Sequence, residues 1–116
     1  MKNFLDLLAT NFSIEIDMTI VPGNGTVQVW INGKEIYNYA MTKTTTIKYQ
    51  VPILQPIKIQ VLHSGAYIES LKFDGWESRP LHGTEQPGCW HLETQIPFYQ
   101  WKHHSTAQGW LLEPQM

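Results

Sequence analysis

The segment TVQVWINGKEIYNYAM, residues 26–41, decides how this chain folds. Two β-prone runs flank Asn32-Gly33, the dipeptide best suited to a two-residue type I′ turn, because both central residues of that turn need φ > 0. A turn of this kind sets strand register outward from itself. An unbroken ladder would pair Ile31 with Lys34, Val29 with Ile36 and Val27 with Asn38 on one face. On the other face it would pair Trp30 with Glu35, Gln28 with Tyr37 and Thr26 with Tyr39. If Val27, Val29, Ile31 and Ile36 turn toward a core, then Trp30, Tyr37 and Tyr39 are expected together on the outer, otherwise polar face.

The period of two continues on both sides of the hairpin. Upstream, Phe12, Ile14, Ile16, Met18 and Ile20 alternate with Ser13, Glu15, Asp17 and Thr19, which predicts a strand with one buried face. Val21-Pro22-Gly23-Asn24-Gly25 ends it with turn residues. Downstream, Thr44 to Val51 predicts a strand with Ile47, Tyr49 and Val51 inward, and Ile57, Ile59 and Val61 predict another. His63-Ser64-Gly65-Ala66 reads as a turn into Tyr67 to Asp74, where Tyr67 and Ile68 break step with Leu71 and Phe73. A β-bulge near Glu69 and Ser70 reconciles the two halves. Gly75 ends that run.

About six short strands at regular spacing predict an all-β fold, an antiparallel β-sandwich of the jelly-roll or immunoglobulin-like kind. Beyond Trp76 the composition changes. Pro80, Gly83, Pro87 and Gly88 punctuate a loop, and two further short strands are expected at Cys89–Thr94 and Pro97–Trp101. His103 to Met116 shows no period. The organisation expected is therefore a sandwich over residues 1–102 and an irregular C-terminal docking arm over residues 103–116.

Composition excludes several classes of function. The formal charge is −2 and Arg79 is the only arginine, a poor endowment for neutralising phosphates, so no nucleic-acid partner is expected. One cysteine, Cys89, leaves no intrachain disulfide and no thiolate cluster for structural zinc. No apolar run approaches 18 residues, and Asp6 interrupts MKNFLDLLATNF, so neither a membrane partner nor a secretory signal is expected.

The chemistry-bearing residues do not assemble into a reactive pattern. The five histidines lack H-x-x-x-H spacing, and Cys89-x-His91 stands alone, so no metal or other cofactor is expected. There is no G-x-S-x-G elbow, and Ser64 and Ser105 merely neighbour histidines in sequence. Glu69, Asp74, Glu77 and Glu93 could supply paired carboxylates for glycoside hydrolysis, but a small sandwich offers them no deep cleft. The chain is not expected to be an enzyme. Exposed aromatics with interspersed amides and acids suit sugar binding better, because sugar C–H faces stack on rings while carboxylates take hydroxyls. Trp30, Tyr37 and Tyr39, and Trp76 at the end of the last core strand, are the residues that would do this. The alternative is that the aromatic C-terminal stretch covers the outer face.

The run YIESLKFDGWE, followed by GCWHLETQIPFYQWKHH, resembles small lectin-like, carbohydrate-binding-module-like β-sandwich virion proteins of tailed bacteriophages. The resemblance rests on Ile68, Phe73, Asp74 and Gly75, then Trp90, then Pro97, Phe98, Tyr99 and Trp101. V-W-I-N-G in the hairpin is similar to strands of jelly-roll carbohydrate-binding modules. Those modules' calcium site uses clustered aspartates, whereas Asp74 is the only aspartate here after Asp17. The resemblance implies a lectin-like sandwich located in a virion and made in a host cytoplasm. The function expected is structural. The sandwich would dock onto other virion proteins or copies of itself, with Trp110, Leu111 and Leu112 as partner-binding anchors. The alternative expectation is a module that recognises host surface polysaccharide.

Overall fold

The computed structural model describes residues 12–77, 84–106 and 109–113, with side chains for 12–77 and 84–101. Its strands are β1 (Ser13–Val21), β2 (Thr26–Ile31), β3 (Lys34–Ala40), β4 (Thr45–Pro52), β5 (Lys58–Leu62) and β6 (Tyr67–Phe73). They continue with β7 (Trp76–Glu77), β8 (Thr84–Gln86), β9 (Cys89–Glu93), β10 (Lys102–Thr106) and β11 (Gly109–Glu113). One sheet has the order β4-β1-β6-β7 and a second the order β3-β2-β5-β9-β8, and the two pack together as an antiparallel β-sandwich. The expected all-β sandwich is the fold observed.

The two sheets meet through the alternating residues. Ile14, Ile16, Met18, Ile20, Ile47, Val51, Ile68, Leu71 and Phe73 come from the four-stranded sheet. Val27, Val29, Ile31, Ile59, Val61, Trp90 and Leu92 come from the five-stranded one. Each of these larger side chains contributes roughly 1.5–3 kcal/mol by leaving water. Phe12 was expected to continue the inward series. It lies before β1 and is exposed.

Two bulges keep the apolar series in phase. Between β1 and β6 the register shifts so that Thr19 faces Ser70 and Ile20 faces Ile68, leaving Glu69 as the extra residue. The sequence places a bulge at this point, and it turns both Ile68 and Leu71 inward. The second bulge was not expected. Between β2 and β3, Trp30 faces Glu35 but Val29 faces Tyr37, so Ile36 is the extra residue and the unbroken hairpin register is wrong beyond Glu35. β3 is an edge strand, where bulges are tolerated. The slip places Tyr37 and Tyr39 opposite Val29 and Val27, on the core side of the ribbon. Tyr37 thereby packs its ring against the core from the open edge. A Tyr can do this while its hydroxyl stays wet.

Turns clasp both ends of the sandwich. At one end Asn24 N–H donates to the Ser64 carbonyl (2.7 Å) and His63 N–H to that of Gly88 (3.0 Å). Three chain reversals are thereby tied together. Gly23 sits so close to the second turn that a Cβ there would overlap the Ser64 carbonyl oxygen and the Gly65 backbone. At the opposite end Asn32, at φ 51°, makes a reciprocal pair with Lys58. Its N–H donates to the Lys58 carbonyl (2.8 Å) and its Oδ1 accepts the Lys58 N–H (2.9 Å). The β2–β3 turn is thus fastened to β5.

The segment after β9 closes that second end. The Thr94 hydroxyl, buried, accepts the Ile57 N–H at 2.9 Å and donates to the Ile96 carbonyl at 3.1 Å. Pro97–Trp101 was expected to be a strand. Phe98–Gln100 instead forms one 3-10 turn, and this geometry swings Phe98 and Trp101 onto Phe73. The Trp101 ring lies 4.8 Å from Phe73, edge to face, and 5.2 Å from Phe98. Its indole N–H points to the Ile96 carbonyl at 3.4 Å.

The chain then forms β10 and β11, paired antiparallel as a separate two-stranded ribbon, with β11 running beside β7. The expectation of an arm without regular structure is corrected here. Lys102↔Glu113 through Thr106↔Gly109 is a continuous ladder. Antiparallel pairing needs only backbone donors and acceptors, so a segment without apolar alternation can adopt it.

Three expected outcomes test this architecture by chemical denaturation. Trp101→Ala removes the aromatic plug and should cost about 3 kcal/mol, in the range for large aromatic truncations. Gly23→Ala should cost at least ~2 kcal/mol through backbone overlap. Gly33→Ala, at φ 81° in open space, should cost only about 1 kcal/mol.

Candidate interaction surfaces

The aromatic group expected on one outer face is divided. Trp30, half-buried, stays on the outer face opposite Glu35, where its indole N–H reaches Gln28 Oε1 at 3.4 Å. The Ile36 bulge sends Tyr37 and Tyr39 to the other side. There the two rings stand edge to face at 5.2 Å, with Tyr39 67 % exposed at the rim. A shallow open groove of about 300 Å³ follows Glu35 to Tyr39 along this edge strand. Trp30 and the tyrosine pair therefore cannot form one stacking platform.

Trp76 belongs to a hairpin that the sequence reading passed over. Asp74 (φ 55°) and Gly75 (φ 80°) form a two-residue turn, so Trp76 faces Phe73 across β6–β7. Asp-Gly before an aromatic carried that signal in the sequence. Trp76 packs, half-buried, against the core, which leaves it less of a free ring face than an exposed sugar-stacking residue would have.

Trp110, Leu111 and Leu112 lie on β11, opposite Ser105, His104 and His103 in register. Their side chains fall outside the described residues. Cys89 and His91, two apart on β9, share the sheet face opposite Trp90. The Cys89 Sγ contacts the Trp90 carbonyl at 3.9 Å.

Two further surfaces emerge from the fold. The first is apolar and lies at the plugged end. Ile53 N–H donates to the Phe12 carbonyl (2.8 Å), and Tyr99 N–H donates to the Ile53 carbonyl (3.3 Å). Three chain segments are thereby held side by side, and Phe12, Leu54 and Tyr99 are all exposed there. Ile53, Phe98 and Trp101 pack inward beneath them.

The second surface lies at the opposite end, where β8 and β9 project beyond β7. A cleft of about 220 Å³ opens there between Tyr67 and Ile68 of β6 and Glu85 and Trp90 of β8 and β9. A narrow apolar recess beneath it is lined by Ile20, Val61, His63, Ala66, Tyr67, Ile68 and Trp90. The His63 side chain is only 4 % exposed. Its Nε2 lies 3.0 Å from Glu85 Oε1. Its Nδ1 lacks a hydrogen-bond partner. A buried polar atom left in that state costs about 1–3 kcal/mol.

Sequence reasoning missed this cleft because Thr84–Gln86 reads as loop. The available signal was Pro87-Gly88. As a two-residue turn it places Gln86 opposite Cys89 and Glu85 opposite Trp90. Comparisons with protein-family models, with curated proteins and with solved structures find no match to this chain.

Proposed function

We propose that this chain is a non-enzymatic docking module. Its β-sandwich would seat its plugged end on a neighbouring subunit of a larger assembly, and the β10–β11 ribbon would extend the contact. The setting, following the resemblance of the second half of the sequence, is the virion of a tailed bacteriophage. The neighbours there would be other virion proteins or further copies of this chain.

One observation carries this reading. Phe12, Leu54 and Tyr99 are large, exposed, and gathered on three chain segments that backbone hydrogen bonds hold together. Isolated exposed apolar residues are ordinary on a protein surface. A group of them on a rigid base resembles the anchors of an interface. The base is rigid because the aromatic plug of Phe73, Phe98 and Trp101 lies directly under it. Little conformational freedom is then lost when a partner covers the patch. The chain also leaves for β10 from this end, immediately after Trp101. Trp110, Leu111 and Leu112 on that ribbon would add apolar contact. In a symmetric assembly many such contacts act together, so each can be individually weak.

Two variants of the full chain test the reading. Leu54→Ser with Tyr99→Ser should leave the unfolding free energy within about 1 kcal/mol, as for surface positions. The same pair should weaken association by at least tenfold, about 1.4 kcal/mol. Sedimentation velocity would measure self-association, and co-purification with assembled particles would measure docking on other subunits. Removing Thr106 to Met116 should leave a cooperatively folding sandwich that no longer assembles. Wild-type association by the folded double variant would overturn the role of the patch. Loss of the cooperative transition on truncation would show that the ribbon belongs to the core.

A further inference from the structure

We infer that the free edge of β3 pairs with the same edge of a second copy of this chain, antiparallel about a two-fold axis through Asn38. The contact lies on the flank of the sandwich and involves none of the residues of the docking patch, so neither reading depends on the other.

Backbone parity carries the inference. β3 is the outermost strand of the five-stranded sheet, and no described residue pairs with its outer edge. The Met41 N–H donates to the Gly25 carbonyl at 3.2 Å, which makes those two a hydrogen-bonded pair. Such pairs alternate along an antiparallel ladder. The register Val27↔Tyr39 and Val29↔Tyr37 therefore commits the backbone groups of both tyrosines to β2. The N–H and C=O groups of Asn38 and Ala40 point the other way, out of the sheet edge. Groups so arranged are a template for another strand.

The segment is its own complement. With the axis at Asn38, that residue meets Asn38 of the second copy as a hydrogen-bonded pair, and Ala40 meets Ile36. Tyr37 meets Tyr39 at the positions between, where side chains come closest. A two-fold axis normal to the sheet keeps each face on its own side. The four tyrosines then gather on the core side and the two Asn38 amides on the outer side, beside Gln28. Within one copy the two tyrosine rings already stand edge to face at 5.2 Å, and pairing doubles that cluster. An amide both donates and accepts, so Asn38 can answer its own copy.

Charge and space agree with a second copy as the occupant. Residues 37–40 carry no charged side chain, and the axis sets neither Lys34 nor Glu35 against a like charge. The outermost strand of the other sheet, β4, carries Lys48 at its middle, a device that guards free edges. Tyr39 sits on the core side of β3 and is nonetheless exposed, so the opposing sheet does not reach beneath it. The groove along Glu35 to Tyr39 is open to an incoming strand. The Ile36 bulge limits pairing to residues 36–40. The contact is therefore small and the dimer weak, with a dissociation constant on the order of 100 µM.

Sedimentation velocity of the full chain up to about 1 mM, above that constant, should show a monomer–dimer equilibrium. Tyr39→Lys puts a charge into the aromatic cluster, and Asn38→Pro removes the outward N–H without touching a bond to β2. Each should raise the dissociation constant by at least about tenfold, with the unfolding midpoint little changed, as for surface positions. Tyr39→Lys keeps the test decisive if Asn38→Pro fails to fold. Cross-linking locates the axis. In a Cys89→Ser background, Asn38→Cys puts thiols on residues whose Cα atoms are about 5.5 Å apart across the pair, within disulfide reach. Under oxidised glutathione it should link about tenfold faster than Lys72→Cys on the outer face of the other sheet. The same link should form when Leu54→Ser and Tyr99→Ser are added, so failure of the edge and failure of the patch are read separately. The inference is overturned if the wild-type chain stays monomeric throughout, or if its dimer is indifferent to Tyr39→Lys. It is also overturned if Asn38→Cys links no faster than Lys72→Cys.

Discussion

Phase is the constraint on which this sandwich depends. Side chains on a strand alternate with a period of two, so a slip of one residue would turn an entire apolar series out to water. β1 satisfies the rule unaided, with Ile14, Ile16, Met18 and Ile20 all buried. β6 cannot, because Ile68 and Leu71 are separated by two residues and would face opposite ways. Leaving Glu69 out of the ladder restores agreement with β1. Ile36 on β3 does the same for Tyr37 against β2. Two unpaired residues thus allow two sheets with imperfect patterns to share one apolar interior.

The two bulges differed in how visible they were in the sequence, and the reason is physical. At β6 the pattern itself is discordant, since Ile68 is out of step with Leu71 and Phe73, and a central strand cannot turn any of them outward. At β3 the unbroken register is locally acceptable. It would place Ile36 opposite Val29 and the tyrosines outward beside Trp30. The bulged register prevails because β3 is an edge strand and Tyr37 can cover the open side of the core. That gain depends on where the other sheet ends, and a single strand's sequence does not contain this information. The β1, β4 and β5 strands, the Asn32-Gly33 turn and the antiparallel sandwich were all legible because local alternation and turn chemistry specify them. The 3-10 turn at Phe98–Gln100 was not, because it depends on the position of Phe73 across the end of the sandwich.

The same distinction separates the candidate sites. Trp30, Tyr37, Tyr39 and Trp76 stood out because aromatic side chains are conspicuous in a sequence, yet the fold assigns them to three different surroundings. Phe12, Leu54 and Tyr99 did not stand out, because they lie on segments far apart in the chain that meet only through backbone hydrogen bonds to Ile53. Glu85 was hidden in a loop-like run, and its meaning appears only once Pro87-Gly88 is read as a reversal that sets it across from Trp90.

The ends of the molecule differ in what they leave at the surface. At the plugged end the buried polar side chains among the described residues have partners. Thr94 links Ile57 to Ile96, Asn32 pairs with Lys58, and the Trp101 indole finds a carbonyl. What remains outside is apolar, and apolar surface on a fully satisfied base is suited to being covered by another surface. At the opposite end the balance is reversed. The recess is apolar, but it buries His63, whose Nε2 has the Glu85 carboxylate at 3.0 Å. One end therefore carries an apolar surface and the other a buried imidazole beside a carboxylate, and the phase-locked sheets between them hold the two apart.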